Sequence, residues 1–555
     1  MLRRLLMPWL ALLLMLAAPP HAATAAEMAA GRVLGNPDAP VGGARRDAYK
    51  IQPATLHPLN ATDYYGNRIL ELIYESLATV DVDSYAFIPL LAERWEISAD
   101  KLVFTFHLDP AARWQDGRPL TAQDVKFSFD VLFAEGLKTR AKWQSYYSNF
   151  SGAEVLGPRT VRFTARQDHF RNFNNLASLR IVPAHRFDPA KPDDTDLAKK
   201  PMGSGPYRFD EWRRGSWIKL RRDKTYWGAD LPQNRGRWNQ SLLLTKFIPT
   251  DKVLLESFKR GDLDLVGLTP EQWVRETDGP QWGEGADSGK PLVKLAVDNL
   301  EPRSYRYVGY NLGSPLFHDR RVRQALSRLY DRDAYIEKFY HGFRDKAVGP
   351  FAANSPYSSP RVQPVPFDVA GALGLLRAAG WADTDGDTLL DKDGQPFRFT
   401  VLTADAETSV KLLTLARETM RQAGVELNIK VVDWSTLLQL IDEYKYDAVM
   451  LGWTRVVHMD PTPLWHSKGA VAGGLNLVRY RNPEVDRLIE AGVRSIPEAE
   501  RIQIFRRIHE IIAEDQPYTF LLEDNHKLVA HRAGFRSVKP WYNYALGEDY
   551  WWITP

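Results

Sequence analysis

Asp383-Thr384-Asp385-Gly386-Asp387-Thr388-Leu389-Leu390-Asp391 is the most metal-like stretch of the chain. Acids at loop positions 1, 3, 5 and 9 suit the oxygen-rich shell that Ca²⁺ prefers. Position 6, however, is Thr388 where such a loop needs Gly, and position 12 is Gly394 where it needs a bidentate Glu. A solvated Asp-Gly loop followed by a turn explains the same residues, and a Ca²⁺ held here would be structural. The 12 histidines show no metalloprotease spacing, since His509-Glu510 has no second His at the required offset. His458 and His466 straddle one loop. Gly203-Ser204-Gly205 looks like part of a nucleophile elbow but lacks the strand–nucleophile–helix order. There is no phosphate loop, no dinucleotide fingerprint and no pairing of acids that would suit a glycosidase. The chain contains no Cys, which excludes thiol nucleophiles, thiolate metal sites and disulfides. None of these stretches forms a complete catalytic constellation; a secreted hydrolase is a remote alternative.

The rest of the composition is that of an ordinary globular protein. At 555 residues the chain is long enough for two or three domains. Its 44% apolar and 25% charged content is ordinary, and a net charge of +3 offers no clustered basic surface for nucleic acid. The 17 Trp and 23 Tyr stand out, because these side chains line ligand clefts as well as cores. Arg3-Arg4, the apolar run from Leu5 to Ala18, Pro19-Pro20 and Ala23-Thr24-Ala25 read as a cleavable secretory signal over residues 1–25. Its apolar run is short for a membrane span, and an uncleaved anchor is the lesser alternative. Without a Cys to carry a lipid, the mature protein is expected free in the periplasm.

Periodicity supplies the elements that would position a site. Tyr64 to Leu77 and Asp124 to Phe133 have helical spacing, and Thr160 to Ala165 alternates as a strand. Residues 183–201 are polar and Pro-containing, as in a linker. Asp368 can cap a helix ending at Gly380, Thr408 to Ala423 is helical, and Ser435 can cap a helix through Glu443. Strands are expected at Val425 to Val432, Asp447 to Gly452 and Thr519 to Glu523, with helices at Pro483 to Val493 and Pro497 to Glu514. That alternation implies an α/β fold with a mixed, partly parallel sheet and helices on its faces.

Leu91-Ala92-Glu93-Arg94-Trp95 and Arg113-Trp114-Gln115-Asp116-Gly117-Arg118-Pro119-Leu120-Thr121-Ala122-Gln123-Asp124-Val125 resemble the signature of the family 5 extracellular solute-binding proteins. Gly203-Ser204-Gly205-Pro206-Tyr207, Tyr226-Trp227, Leu376-Arg377-Ala378-Ala379-Gly380-Trp381, Gly452-Trp453 and Asn482-Pro483-Glu484-Val485-Asp486 follow in the family's order. Asn36-Pro37-Asp38-Ala39-Pro40 with Gly42-Gly43 is similar to the branch of peptide and microcin-type binders. The resemblance implies a two-lobed periplasmic binding protein fold of the large, three-domain type II class, with a hinge. Lobe I would comprise 26–62, 201–298 and 519–555, a decorating domain 63–200, and lobe II 299–518. It also implies a monomeric substrate-binding component of an ABC importer, with a peptide or peptide-like solute and the membrane permease as partners and no cofactor. Oligosaccharides or nickel and other metal chelates are the alternative cargo, with His458 and His466 as candidate chelate contacts.

In peptide-binding members a carboxylate shortly after Gly-Trp holds the ligand's α-amino group. Here that position falls on Val456, and the first acid is Asp460. Either Asp460 substitutes through a longer loop, or the ligand lacks a free amine and Asp460 merely caps the turn before Pro461. Arg455 could face an anionic group, or be a surface residue or part of a lobe–lobe salt bridge. Trp434, Gly452, Trp453 and Thr454 are further cleft candidates, with the two tryptophans otherwise in the core. Tyr146 and Tyr147 on the decorating domain, and Thr62, Asp63 and Tyr64 on the first lobe, complete the set. Backbone pairing to an extended ligand is the expected mode.

Overall fold

The computed structural model describes residues 32–554, apart from 62, 189, 286, 299, 301–302, 405–406, 456–458, 495, 540 and 544–545. The signal region 1–25, Thr62, Val456 and His458 therefore lie outside the described residues.

One half of the molecule is built on a six-stranded sheet. Its order is Asp345–Lys346, Tyr518–Glu523, Tyr305–Tyr310, Ala448–Trp453, Arg398–Ala404 and Glu426–Val432. The last three strands are parallel. From Arg398–Ala404 the chain runs through helix Glu407–Gln422 to the edge strand. It then returns through helix Trp434–Asp442 to Ala448–Trp453, on the opposite side of its starting strand. Side chains alternate along a strand, so the two helices cover opposite faces. Leu412, Leu413, Ala416 and Met420 pack with Phe399 and Val401, while Leu437 and Ile441 pack with Leu402 and Val449.

The other half contains two four-stranded sheets. Ala44–Tyr49, Leu242–Phe247, Trp217–Arg222 and Tyr207–Arg213 form one; Leu265–Gly267, His526–Arg532, Leu292–Asp298 and Trp282–Glu284 form the second. A further antiparallel sheet, ordered Ala92–Ile97, Val103–Leu108, Thr160–Ala165 and Phe150–Gly157, carries helix Ala122–Asp130. Thr121 and Asp124 of the signature form a capping box at the start of that helix.

The chain crosses between the halves after Asp298 and before Tyr305, and returns after Glu523 and before His526. The crossings lie side by side, because Asp298 is opposite His526 and Tyr305 is opposite Glu523. A division at 518/519 would run through the strand Tyr518–Glu523, which pairs with Tyr305–Tyr310 inside the six-stranded sheet.

Three other local expectations change. The helix from Tyr64 stops at Leu70, because the carbonyls of Leu72 and Ile73 accept hydrogen bonds from Tyr207 and Gly205 instead of continuing the helical ladder. The helix expected to be capped by Ser435 begins two residues earlier; Asp433 is its cap and accepts from the Thr436 N–H at 3.0 Å. Segment 183–201 is strapped down. His57 bonds the Pro192 carbonyl at 2.9 Å, Asn60 donates to Asp193 at 2.6 Å, and Leu197 is buried.

Several motifs of the resemblance meet at one joint. Gln115 donates from its backbone to Gly203 and from its side chain to the Gly205 and Tyr207 carbonyls, at 2.8–3.0 Å. Buried Glu75 accepts from the Tyr226 hydroxyl and, at 2.8 Å, from the Trp227 indole. These motifs hold the antiparallel sheet of residues 92–165 to the sheet that contains Tyr207–Arg213.

Candidate solute-binding site

The parallel strands Arg398–Ala404 and Ala448–Trp453 are paired only at Val401–Ala448 and Leu402–Val449. Beyond that they part, and a cavity of about 380 Å³ opens between Thr403-Ala404 and Met450–Thr454. It lies at the carboxyl ends of parallel strands whose connecting helices leave on opposite faces. That is where open α/β sheets bind ligands. Met450–Trp453 keeps ladder partners on the Tyr305–Val308 side only, so its other edge faces the cavity.

The cavity brings together four of the residues expected from sequence: Trp434, Gly452, Trp453 and Thr454. Trp434 is the first residue of its helix and is 56% exposed, a large apolar surface for an unliganded wall. Trp453 is half-buried and stacks parallel to Tyr307, ring centroids 6.4 Å apart. Sequence reasoning missed Tyr305, Arg306, Tyr340, Arg344, Ser409 and Asp524, which also line the cavity. Arg344 pairs with Asp524 at 3.0 Å and lies over the Tyr340 ring. Arg306 donates to the Ser409 hydroxyl at 2.8 Å. A signal for it existed: Arg306 is the one charged residue in Tyr305-Arg306-Tyr307-Val308-Gly309-Tyr310, an otherwise core-like run.

The other candidates sit elsewhere. Arg455 is buried, and its guanidinium is fully engaged by the protein. It donates to the carbonyls of Arg303 (2.6 Å), Gly349 (2.6 Å) and Pro350 (3.0 Å), pairs with Glu523 at 3.1 Å, and stacks over Tyr305. It braces the crossing segments and does not face the cavity. Burial raises the Glu523 carboxyl above its ordinary value, opposed by Arg455 and Arg303. Asp460 accepts from the Thr462 N–H at 2.8 Å, the turn cap before the short helix Thr462–Trp465, and meets His169 at 3.4 Å. Burial would raise its carboxyl, but the donors His169 and Thr462 hold it below the usual range.

Asp63 caps the helix Tyr64–Leu70 through the Gly66 N–H, and Tyr64 is exposed against Tyr65. Tyr146 is exposed; Tyr147 is buried and donates to the Asn175 carbonyl at 3.1 Å. None of these four lines the cavity. His466 is buried and turned toward Asp486 and Glu490. Oxygens of Asp383, Asp385 and Asp391 come within 4.8 Å of one another, without Asp387. All four carboxylates accept from the loop's own backbone: Gly386 and Thr388, Asp387, Leu389, and Thr384 respectively for Asp383, Asp385, Asp387 and Asp391.

His169 and Phe170 also join the two halves. Besides the His169–Asp460 contact, the Phe170 N–H donates to the Val493 carbonyl at 2.9 Å, and Arg501 lies over the Phe170 ring. On the other flank Glu271 meets His341 at 2.8 Å.

Comparison with known proteins agrees with this architecture. Residues 86–474 match the bacterial extracellular solute-binding proteins, family 5. The oligopeptide-binding protein AppA of Bacillus subtilis is 28% identical over 488 residues, covering 86% of this chain and 85% of AppA. Its structure with a nonapeptide superposes with a TM-score of 0.75 at 26% identity, over 93% of this chain and all of AppA. The NikA structure from Brucella suis, in complex with Fe(III)-EDTA, gives a TM-score of 0.77 at 21% identity, covering 91% of this chain and 98% of NikA; at that identity it speaks for the fold alone. The fold is therefore the two-lobed α/β architecture of periplasmic binding proteins. With a family match spanning most of the sequence, the chain belongs to the family 5 bacterial extracellular solute-binding proteins.

Proposed function

We propose that this protein is the periplasmic substrate-binding component of an ABC importer, capturing a peptide or peptide-like solute and handing it unaltered to a membrane permease. The observation that carries this is the cavity between the parted strands. A one-sided strand edge lies there beside Trp434 and Trp453, which suits an extended backbone against aromatic walls. In this reading the six-stranded half is lobe II, from residue 305 to 523. Lobe I takes the segments before and after it, and the sheet of 92–165 decorates lobe I. The two crossings, one ahead of Tyr305 and one after Glu523, form the hinge. The mature protein acts as a monomer after loss of residues 1–25.

The test is a titration of purified protein with defined peptide pools, followed by calorimetry and small-angle scattering. The expected result is saturable binding with a decrease in radius of gyration as the lobes close. Peptides that neither bind nor compact the protein would end the reading. So would release of cleaved peptide.

A further inference from the structure

We propose that Arg306 anchors a carboxylate of the solute, so that this chain selects its cargo through an anionic group in place of a free α-amine. The proposal rests on the peptide reading above and narrows it.

The argument begins with strand alternation. In Tyr305–Tyr310, Val308 and Tyr310 point to the face covered by Leu412 and Leu413 of helix Glu407–Gln422. Tyr305 and Tyr307 belong to the core on the other face. Arg306 therefore emerges under the first turn of that helix, where Ser409 receives its hydrogen bond at 2.8 Å. A half-buried guanidinium has five N–H donors, and one neutral hydroxyl leaves most of its charge and donors uncompensated. Among the described residues, no carboxylate pairs with Arg306.

The other charges of the cavity cancel. Arg344 and Asp524 hold each other at 3.0 Å. Asp524 is the one acid among the described lining residues, and with Arg306 and Arg344 those residues carry one more positive than negative charge. The 16-residue helix Glu407–Gln422 adds the positive end of its dipole on the same side. An incoming ammonium finds no available carboxylate among those residues. Asp460, the first acid after Gly452-Trp453, is engaged by Thr462 and His169 and does not line the cavity. A carboxylate, by contrast, meets a planar fork suited to bidentate pairing.

The experiment is calorimetry on the full mature chain with four forms of each peptide that binds: free, N-acetylated, C-amidated, and C-amidated with a terminal glutamate. The expected result is little effect of acetylation and a loss of about ten- to a hundredfold on amidation. Recovery with the glutamate amide would support the proposal and assign the anchor to a side-chain carboxylate. In Arg306→Gln the difference between acid and amide should vanish, whereas Arg306→Lys should keep part of it. Melting curves of both variants establish that they are folded. Amides that bind as well as acids, or acetylation that alone abolishes binding, would overturn the proposal and leave the peptide reading standing. If no peptide in any form binds, the peptide reading falls and the proposal falls with it.

Discussion

A tryptophan that opens a helix with more than half its surface in solvent is poorly placed for stability and well placed for a ligand. Trp434→Ala should weaken solute binding by about 1–3 kcal/mol with little change in the melting temperature of the free protein, as calorimetry would read. Glu75 makes a different prediction. Burial pushes its carboxyl up to about 7, against the hydrogen bonds from Tyr226 and Trp227. A raised carboxyl favours the folded state most when protonated. Its contribution is complete below about pH 4.5, the ordinary value, and is lost as pH rises through about 7. Unfolding free energy should thus fall by something on the order of 3 kcal/mol between pH 4.5 and 8 on account of this residue. Glu75→Gln should flatten the profile in denaturant titrations; a profile unchanged by that substitution would refute the assignment. The family resemblance offered Trp434 and Trp453 as cleft candidates, whereas residue type alone left both between core and cleft, because aromatics serve in each. Both left Arg455 open between an anion contact, a surface residue and a salt bridge, because its partner in space, Glu523, is 68 positions away in sequence.

At the scale of elements, the sequence was most legible where one helix or strand is terminated by its own residues. Asp368 caps its helix, Gly424 takes a left-handed turn after the Glu407–Gln422 helix, and both stops were visible as residue types. The alternation of helix and strand from Thr408 to Gly452 announced a partly parallel sheet, but the strand Arg398–Ala404, which forms the other wall of the cavity, was not among the expected elements. What local pattern could not show was the competition from distant chain. The helix at Tyr64 ends early because residues 205–207 claim the carbonyls of Leu72 and Ile73. That close approach leaves no room at Gly203, where a Cβ would stand 2.1 Å from the Ile73 carbonyl oxygen. Gly203→Ala should destabilise the protein by about 1–3 kcal/mol through overpacking, read as a lower denaturation midpoint with an unchanged slope. A neutral effect would mean that the two segments part more easily than their hydrogen bonds suggest.

For the whole molecule, the contacts between halves matter because they lie away from the solute cavity. His169 meets Asp460 across the gap, and the lowered carboxyl of Asp460 means that its share of stability is present above the ordinary carboxylate value and lost as pH falls below it. His169→Ala should therefore favour the open arrangement and raise the apparent dissociation constant about two- to fivefold for every solute alike. Calorimetry with several solutes would check this, and a change confined to one of them would place His169 against the ligand itself. The sheet of Leu265–Gly267, Leu292–Asp298 and Trp282–Glu284 has a further consequence. The strand that completes it, His526–Arg532, sits between the first two yet is made more than two hundred residues later. During synthesis that sheet has an empty centre until the ribosome has passed residue 532. On the secretory reading proposed above, a chain threaded through a secretion pore before it folds would be kept loose by this topology, and its folding would finish on the far side.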